Sequence, residues 1–175
     1  MSIQTIAPSC TVVPTRSGIE LETRIAQADD EAALEAFFAQ VSDQDCRFRF
    51  LSAHDHVGHQ QLAPMVETDH VRSDCFLAFD RTNGELVATG MLACDNPMEV
   101  AEVAVSVRSD YRGKGVGWAM LDLLANEAQR RGVREVIAIE DRDNHAAIAL
   151  EREKGFQPRA FEGDPHLVIL GRTLA

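Results

Sequence analysis

The 175-residue chain contains no hydrophobic run long enough to cross a membrane. A membrane-spanning helix needs roughly 18 consecutive apolar residues, and no stretch approaches that length. Residues 1–5 also lack the basic start and long apolar stretch that mark a secretory signal. The sequence therefore predicts a cytoplasmic protein.

Cysteine pairs and well-spaced metal ligands are also lacking. The chain has no C-x-x-C motif, and its four cysteines are scattered: Cys10, Cys46, Cys75 and Cys94. In a reducing compartment, such cysteines indicate small buried side chains rather than disulfides or zinc ligands. Three histidines cluster at His54, His56 and His59, but their spacing is too loose to favour a metal site. We expect no metal and interpret them as surface or substrate-contact residues.

Positive charge is scarce. Lysine occurs only twice, and the formal net charge is −11. Nucleic-acid binding requires a basic face that neutralises phosphates, so this charge argues against it. An acidic surface suits a cationic partner, such as a small amine or a lysine-bearing protein. Acidity that only keeps the protein soluble explains the charge equally well.

No internal repeat or low-complexity tract divides the chain. Residues 1–17 show no periodicity, so we expect a flexible N-terminal leader followed by a single domain over residues 18–175. Hydrophobic periodicity then predicts the order β, α, α, three strands, α, β, α, β, β. Residues 47–51, which lie between the first two predicted helices, form a short segment in which charged and apolar side chains alternate. The predicted fold class is a mixed α/β (α+β) sheet rather than a repeating β-α array.

A glycine-rich loop at residues 112–117, with the sequence RGKGVG, follows a strand and precedes a helix. The first turn of a helix has unpaired N–H groups and a positive dipole end, which together bind anions. The three glycines allow the backbone to approach a phosphate closely, while Arg112 and Lys114 add positive charge. The loop is therefore predicted to hold a phosphate or pyrophosphate.

Two other phosphate-binding patterns fail at this loop. A P-loop needs Lys-Ser or Lys-Thr where this chain has Trp-Ala. The dinucleotide-binding fingerprint G-x-G-x-x-G also fails, because the third glycine is missing from its position whether the pattern starts at Gly113 or at Gly115. Glu140 does end the next strand, at the place where the dinucleotide-binding fold has a ribose-binding acid. That fold begins with a parallel βαβ unit, however, and the strands before this loop look antiparallel. A glycine turn that binds nothing remains a third alternative. The acyl-CoA pattern [RQ]-x-x-G-x-[GA] does fit, through Arg112, Gly115 and Gly117.

Two motifs at a suitable separation carry a family resemblance. Residues 102–117 resemble the strand, loop and acyl-CoA motif of the Gcn5-related N-acetyltransferase (GNAT) superfamily. Residues 144–156 resemble its second motif, N-x-x-A-I-x-L-Y-…-G-F. The resemblance spans residues 19–172. It implies the GNAT fold, a mostly antiparallel mixed sheet of six or seven strands flanked by about four helices, with acetyl-CoA as co-substrate.

Weaker motifs are similar to the bacterial protein-lysine acetyltransferases that act on acyl-CoA synthetases. They comprise RFRF at 47–50, then Leu62 and Asp69, and AEVAV at 101–105. This similarity implies a protein lysine as acceptor. Arg47 and Arg49 would then orient an acidic part of the substrate, although pairing with nearby acids explains them equally well.

The GNAT resemblance also implies roles for particular residues. Glu102 is the predicted proton acceptor, a partly buried carboxylate opposite three valines, with Glu99 in reserve. The amides of Val105 and Val107 are expected to pair with the pantetheine arm, and one N–H in this region to polarise the thioester oxygen. Asn144 matches an asparagine that contacts the cofactor, although a helix N-cap explains it too. The pyrophosphate is predicted to bind at Arg112, Gly113, Lys114, Gly115, Val116, Gly117 and Trp118.

One position departs from the family pattern. Many GNAT enzymes carry a tyrosine four residues before the Gly-Phe pair, which protonates the leaving thiolate. Here that position is Glu151, and the single tyrosine of the chain, Tyr111, lies in the cofactor loop. A glutamate is normally ionised at neutral pH, so the role of general acid is not carried over. A thiolate is a good leaving group and can depart unassisted.

Three functions follow from these patterns. The leading one is transfer of an acetyl group from acetyl-CoA to a protein lysine ε-amine, by direct attack in a ternary complex with Glu102 as base. The second is acetylation of a small amine, such as a polyamine or amino compound. The third is a non-catalytic acyl-CoA sensor. Both a monomer and a dimer are compatible with the sequence.

Overall fold

The computed structural model describes residues 9–51 and 56–175. One eight-stranded sheet forms its centre, in the order β1-β2-β3-β4-β5-β6-β8-β7. The strands are Thr11–Pro14 (β1), Glu20–Ile25 (β2), Ser73–Asp80 (β3), Leu86–Cys94 (β4), Val100–Val107 (β5), Glu135–Asp141 (β6), Gln157–Ala160 (β7) and Leu167–Thr173 (β8). The α-helices are Glu31–Phe38 (α1), Asp43–Phe50 (α2), His59–Val66 (α3), Val116–Arg130 (α4) and His145–Glu153 (α5).

The predicted fold class is confirmed, because the sheet is mixed and mostly antiparallel. Among the strand pairs in the described ranges, only β5 and β6 run parallel. The predicted counts are slightly wrong. The sheet has eight strands instead of six or seven, and the described residues form five α-helices instead of about four. No helix in the described residues is long and apolar enough to span a bilayer.

The extra strand, β1, lies inside the segment predicted to be a flexible leader. It pairs antiparallel with β2, with Thr11 opposite Thr23, so the expectation is wrong for Thr11–Pro14. β1 is an edge strand whose side chains are mostly exposed, and it therefore lacks the alternation that identifies a half-buried strand. Residues 1–8 of the predicted leader lie outside the described residues.

The alternating segment at 47–51 belongs largely to helix α2. Ser42 caps this helix, its Oγ accepting a hydrogen bond from the Asp45 amide at 3.1 Å. None of the α2 residues is fully buried, so the helix has no apolar stripe that its sequence could reveal. It packs beside β5 and contributes to one wall of the site.

Two apolar layers cover the two faces of the sheet. β3 shows how the sequence achieves this, since Phe76 and Ala78 pack in one layer and Cys75 and Leu77 in the other. The first layer lies under α4, and the second lies under α1 and α3. Burying one leucine-sized side chain in such a layer stabilises the fold by about 1.5–3 kcal/mol.

The sheet opens between its two parallel strands. β5 and β6 pair only where Val100–Glu102 face Glu135–Ile137, after which they diverge. β6 continues to Asp141 paired with β8, while β5 continues to Val107 paired with β4. The split leaves one edge of β5 without a strand neighbour, directly ahead of the glycine loop.

Candidate active site

A cavity of about 570 Å³ occupies the split between β5 and β6. Its walls come from the end of β5, the glycine loop, the first turn of α4, α5, and one side of α2. Val105, Val107 and Asn144 line it, as do six of the seven predicted loop residues. Lys114 is the exception, and its ammonium lies 5.0 Å from the centroid of the Tyr111 ring. The fold thus gathers most of the predicted cofactor residues around one cavity.

The backbone of β5 presents free donors to this cavity. The Arg108 amide donates to the Val87 carbonyl of β4 at 2.9 Å. In an antiparallel ladder, the direction of the N–H group alternates with each residue, so the amides of Val107 and Val105 point away from β4. Pairing with β6 has already ended at Glu102. An extended polar ligand can therefore add to this edge as a further strand would.

The glycine loop presents a second set of free donors. Gly113 and Gly115 have positive φ values of 72° and 78°, which an L side chain adopts only with strain. Within the described part of the chain, none of the six amide N–H groups from Gly113 to Trp118 donates a hydrogen bond. The positive end of the α4 dipole adds to them, so the loop can bind a phosphate or pyrophosphate.

The turn between β1 and β2 covers this loop. Arg16 places its guanidinium carbon 3.2 Å from the centroid of the Trp118 ring, and Ser17 donates a hydrogen bond to the Lys114 carbonyl at 2.7 Å. Lys154 approaches the same indole ring, at 3.8 Å. Sequence reasoning missed Arg16 because it belongs to the supposed leader. No local pattern indicates a contact across about a hundred residues.

Glu102 lies at the mouth of the split. It faces Ile137 in the last β5–β6 pair, it is solvent-exposed, and it is not among the residues that line the cavity. The expectation of a partly buried carboxylate is therefore wrong. Burial lowers the pKa of Arg49, and the negative charges of Glu102 and Glu140 oppose this lowering.

Two carboxyl groups line the cavity together, the half-buried Glu140 of β6 and the buried Glu151 of α5. Glu151 is 4% exposed. Burial and the neighbouring Glu140 raise the pKa of Glu151 far above its usual range, which favours the protonated form at neutral pH. This environment opposes the ionised state expected of an ordinary glutamate.

Asn144 links this pair to the start of α5. Its Nδ2 donates to Glu140 Oε2 at 2.8 Å, and its Oδ1 accepts from the Ala147 amide at 3.4 Å. The N-cap interpretation of Asn144 is therefore confirmed. The same side chain also lines the cavity, so both of its proposed roles are geometrically compatible.

Tyr111 is held by a separate network. Its hydroxyl donates to Asp80 Oδ2 at 2.7 Å and accepts from Asn83 Nδ2 at 3.2 Å. Hydrogen bonding to Asp80 and burial raise the pKa of Tyr111. These two hydrogen bonds anchor the only tyrosine of the chain to the turn between β3 and β4.

Potential metal ligands do not converge in the described ranges, where no group of three His, Cys, Asp or Glu side chains could hold an ion. Two of the clustered histidines contact glutamates of α1: His56 lies 3.1 Å from Glu35, and His59 lies 2.6 Å from Glu31. His54 lies outside the described residues.

Comparison with known proteins agrees with this geometry. Residues 27–156 match the Acetyltransferase (GNAT) family. An acetyltransferase of Pseudomonas aeruginosa is 26% identical over 149 residues, which cover 83% of this chain and 80% of that protein. An L-methionine sulfoximine/L-methionine sulfone acetyltransferase of the same species is 39% identical over 56 residues, about a third of each chain (32% and 33%).

Solved structures show the same fold. The GNAT domain of S. lividans PAT superimposes with a TM-score of 0.86 at 25% identity, covering 94% of this chain and 97% of that one. Salmonella typhimurium yncA, solved with its cofactor acetyl-CoA, has a TM-score of 0.69 at 20% identity, with 89% and 94% coverage. The free amides of β5 and the glycine loop fit such a cofactor. The chain belongs to the GNAT family and is an acetyl-CoA-dependent acyltransferase.

Proposed function

We propose that this enzyme transfers the acetyl group of acetyl-CoA to a primary amine, with a protein lysine as the leading acceptor. The observation that supports the proposal is that two sets of free backbone N–H groups, those of the β5 edge and those of the glycine loop, face the same cavity. The open edge of β5 suits the amide groups of the pantetheine arm, and the loop N–H groups suit the pyrophosphate. Bound in this way, the thioester would lie near the split, where an amine can reach it.

Val105, Val107 and Asn144 would position the pantetheine arm in this arrangement. The loop from Arg112 to Trp118 would hold the pyrophosphate, with Arg16 as an additional cation at the cavity wall. Arg112 also contacts Asp45 of α2 at 3.3 Å, which fixes one wall relative to the loop. A fixed thioester raises the effective concentration of the reacting groups and orients the carbonyl for attack.

Glu102 is the proposed general base. It stands at the point where β5 and β6 separate, so an amine that enters the split passes its carboxylate. An exposed carboxylate accepts the amine proton directly or through one water molecule. The proton then leaves to solvent, which is accessible at this position.

A protein lysine fits the open mouth of the split and the net charge of −11. A small amine that carries a carboxylate is the second candidate. It is supported by Arg49, whose buried Nε has no hydrogen-bond partner among the described residues, and by the amino-acid derivatives named for the Pseudomonas relative. A cytoplasmic location and the oligomeric state remain predictions.

Glu102→Gln tests the proposed base. We expect kcat to fall by about 10²-fold, because general base catalysis typically contributes that much or more. The dissociation constant for acetyl-CoA should stay unchanged, since Glu102 does not line the cavity. Glu162→Gln, an exposed glutamate in the loop between β7 and β8 that does not line the cavity, is the control and should keep wild-type turnover. Undiminished turnover in Glu102→Gln would contradict the assignment.

A further inference from the structure

Two cations contact the single tryptophan of the chain, Trp118, in the first turn of α4. The guanidinium carbon of Arg16 lies 3.2 Å from the centroid of the indole ring, and the ammonium of Lys154 lies 3.8 Å from it. The two cations differ in their partners. Lys154 pairs with the carboxylate of Asp122, whereas Arg16 contacts no carboxylate within the described residues. The charge of Arg16 is therefore not neutralised by that part of the protein.

The location of Arg16 makes an unpaired cation costly. Trp118 is the third residue of α4, so the guanidinium on its ring lies near the positive end of the helix dipole, which repels a cation. Arg112 and Lys114 add further positive charge to the same loop. A bound anion would remove this repulsion and pair with the guanidinium at the same time.

The contact with Trp118 holds the guanidinium without using its N–H groups. A guanidinium packs on an aromatic ring through its planar face, which leaves the N–H donors along its edge available. Within the described residues, the side chain of Arg16 donates no hydrogen bond, and it lines the cavity. A planar fork that is held in place with free donors suits the oxygens of a phosphate group.

The order of groups along coenzyme A decides which phosphate Arg16 meets. In the proposed arrangement the pantetheine arm follows β5, and the pyrophosphate binds the free amides of the glycine loop. The nucleotide comes next along the cofactor, so it continues past the loop and away from β5. The β1–β2 turn reaches the loop from the edge of the sheet, outside the split, and brings the Arg16 nitrogen 3.4 Å from the Cβ position of Gly115. The nucleotide carries one more anionic group, its 3′-phosphate.

We propose that Arg16 binds the 3′-phosphate of coenzyme A and makes the enzyme selective for the 3′-phosphorylated cofactor over its dephospho form. The inference rests on the proposed function, because it uses the cofactor orientation given there. Ser17 holds the turn that carries Arg16 against the loop, since its hydroxyl donates to the Lys114 carbonyl at 2.7 Å. The turn after β1 thus belongs to the cofactor site.

Binding of acetyl-CoA and of 3′-dephospho-acetyl-CoA tests the proposal without any turnover. The two ligands share the pyrophosphate and differ only in the 3′-phosphate. We expect the wild type to bind acetyl-CoA about tenfold more tightly, as a hydrogen-bonded contact between charged groups typically contributes. Arg16→Gln should weaken acetyl-CoA binding by about tenfold and leave the affinity for the dephospho form within about twofold. Titration calorimetry measures both affinities.

Arg134→Gln is the control, because Arg134 is exposed, lies between α4 and β6 and does not line the cavity. It removes the same charge and should keep the wild-type preference. An equal loss of affinity for both ligands in Arg16→Gln would overturn the proposal, since Arg16 would then contact the pyrophosphate or only support the loop. Equal affinities of the wild type for the two ligands would overturn it as well. If the wild type binds neither ligand, the proposed function fails instead, so the two failures are distinguishable.

Discussion

At Gly115 the backbone is left-handed, and the residue caps the start of α4. A side chain here would meet the backbone of the β1–β2 turn, because a Cβ atom would lie 3.4 Å from the Arg16 nitrogen. A contact at 3.4 Å is an ordinary one, so the left-handed backbone is the reason that the loop needs glycine here. The direction of the neighbouring N–H groups depends on this conformation.

Gly115→Ala should weaken acetyl-CoA binding by about tenfold. Left-handed backbone costs an alanine about 1–2 kcal/mol, and relief of that strain would turn the loop N–H groups away from the pyrophosphate. Gly163→Ala is the control, since Gly163 also has positive φ but lies in the loop between β7 and β8, with nothing near its Cβ position. Titration calorimetry should show a changed affinity only in Gly115→Ala. Equal affinities in both variants would contradict the role of the loop.

Helix α5 packs its Glu151 against Glu140 of strand β6, and this contact makes the free energy of unfolding depend on pH. The pKa of Glu151 is raised in the folded state, so the folded protein keeps a proton that the unfolded chain releases. The contribution of Glu151 to the free energy of unfolding is complete below the ordinary pKa of glutamate. It is lost as the pH rises towards the pKa that Glu151 has in the folded protein. One retained proton changes the free energy of unfolding by about 1.4 kcal/mol per pH unit.

The free energy of unfolding of the wild type should therefore fall more steeply with pH than that of Glu151→Gln. The difference in slope should be about 1.4 kcal/mol per pH unit between about pH 6 and about pH 8. Urea denaturation at several pH values measures it, and Glu162→Gln should match the wild-type slope. Parallel curves for the wild type and Glu151→Gln would show that Glu151 is ionised in the folded protein.

Elements with a local signature could be predicted from the sequence. The helix after the glycine loop and the Asn144 cap both depend on neighbouring residues, and each lies where it was expected. β1 and α2 could not be predicted, because neither has a buried stripe. The raised pKa of Glu151 was missed because its causes, burial and the nearby Glu140, arise only in the fold.

For the molecule as a whole, the split sheet explains the location of the site. In the part of the chain that the structure describes, the single parallel strand pair, β5 and β6, separates after three residue pairs and leaves free amides facing a cavity. The apolar side chain of Ile139 on β6 faces that cavity. The sequence does not reveal this role, because an apolar residue gives no sign of whether protein or a ligand covers it.

The most direct test of the central claim is incubation of the protein with acetyl-labelled acetyl-CoA and a cell extract, followed by separation of proteins from small molecules. We predict that label appears on protein lysines, and that Gly115→Ala transfers less at subsaturating acetyl-CoA. Label on a small amine alone would favour the second candidate acceptor. Bound acetyl-CoA with no label on any amine would contradict the account and leave a cofactor-binding sensor.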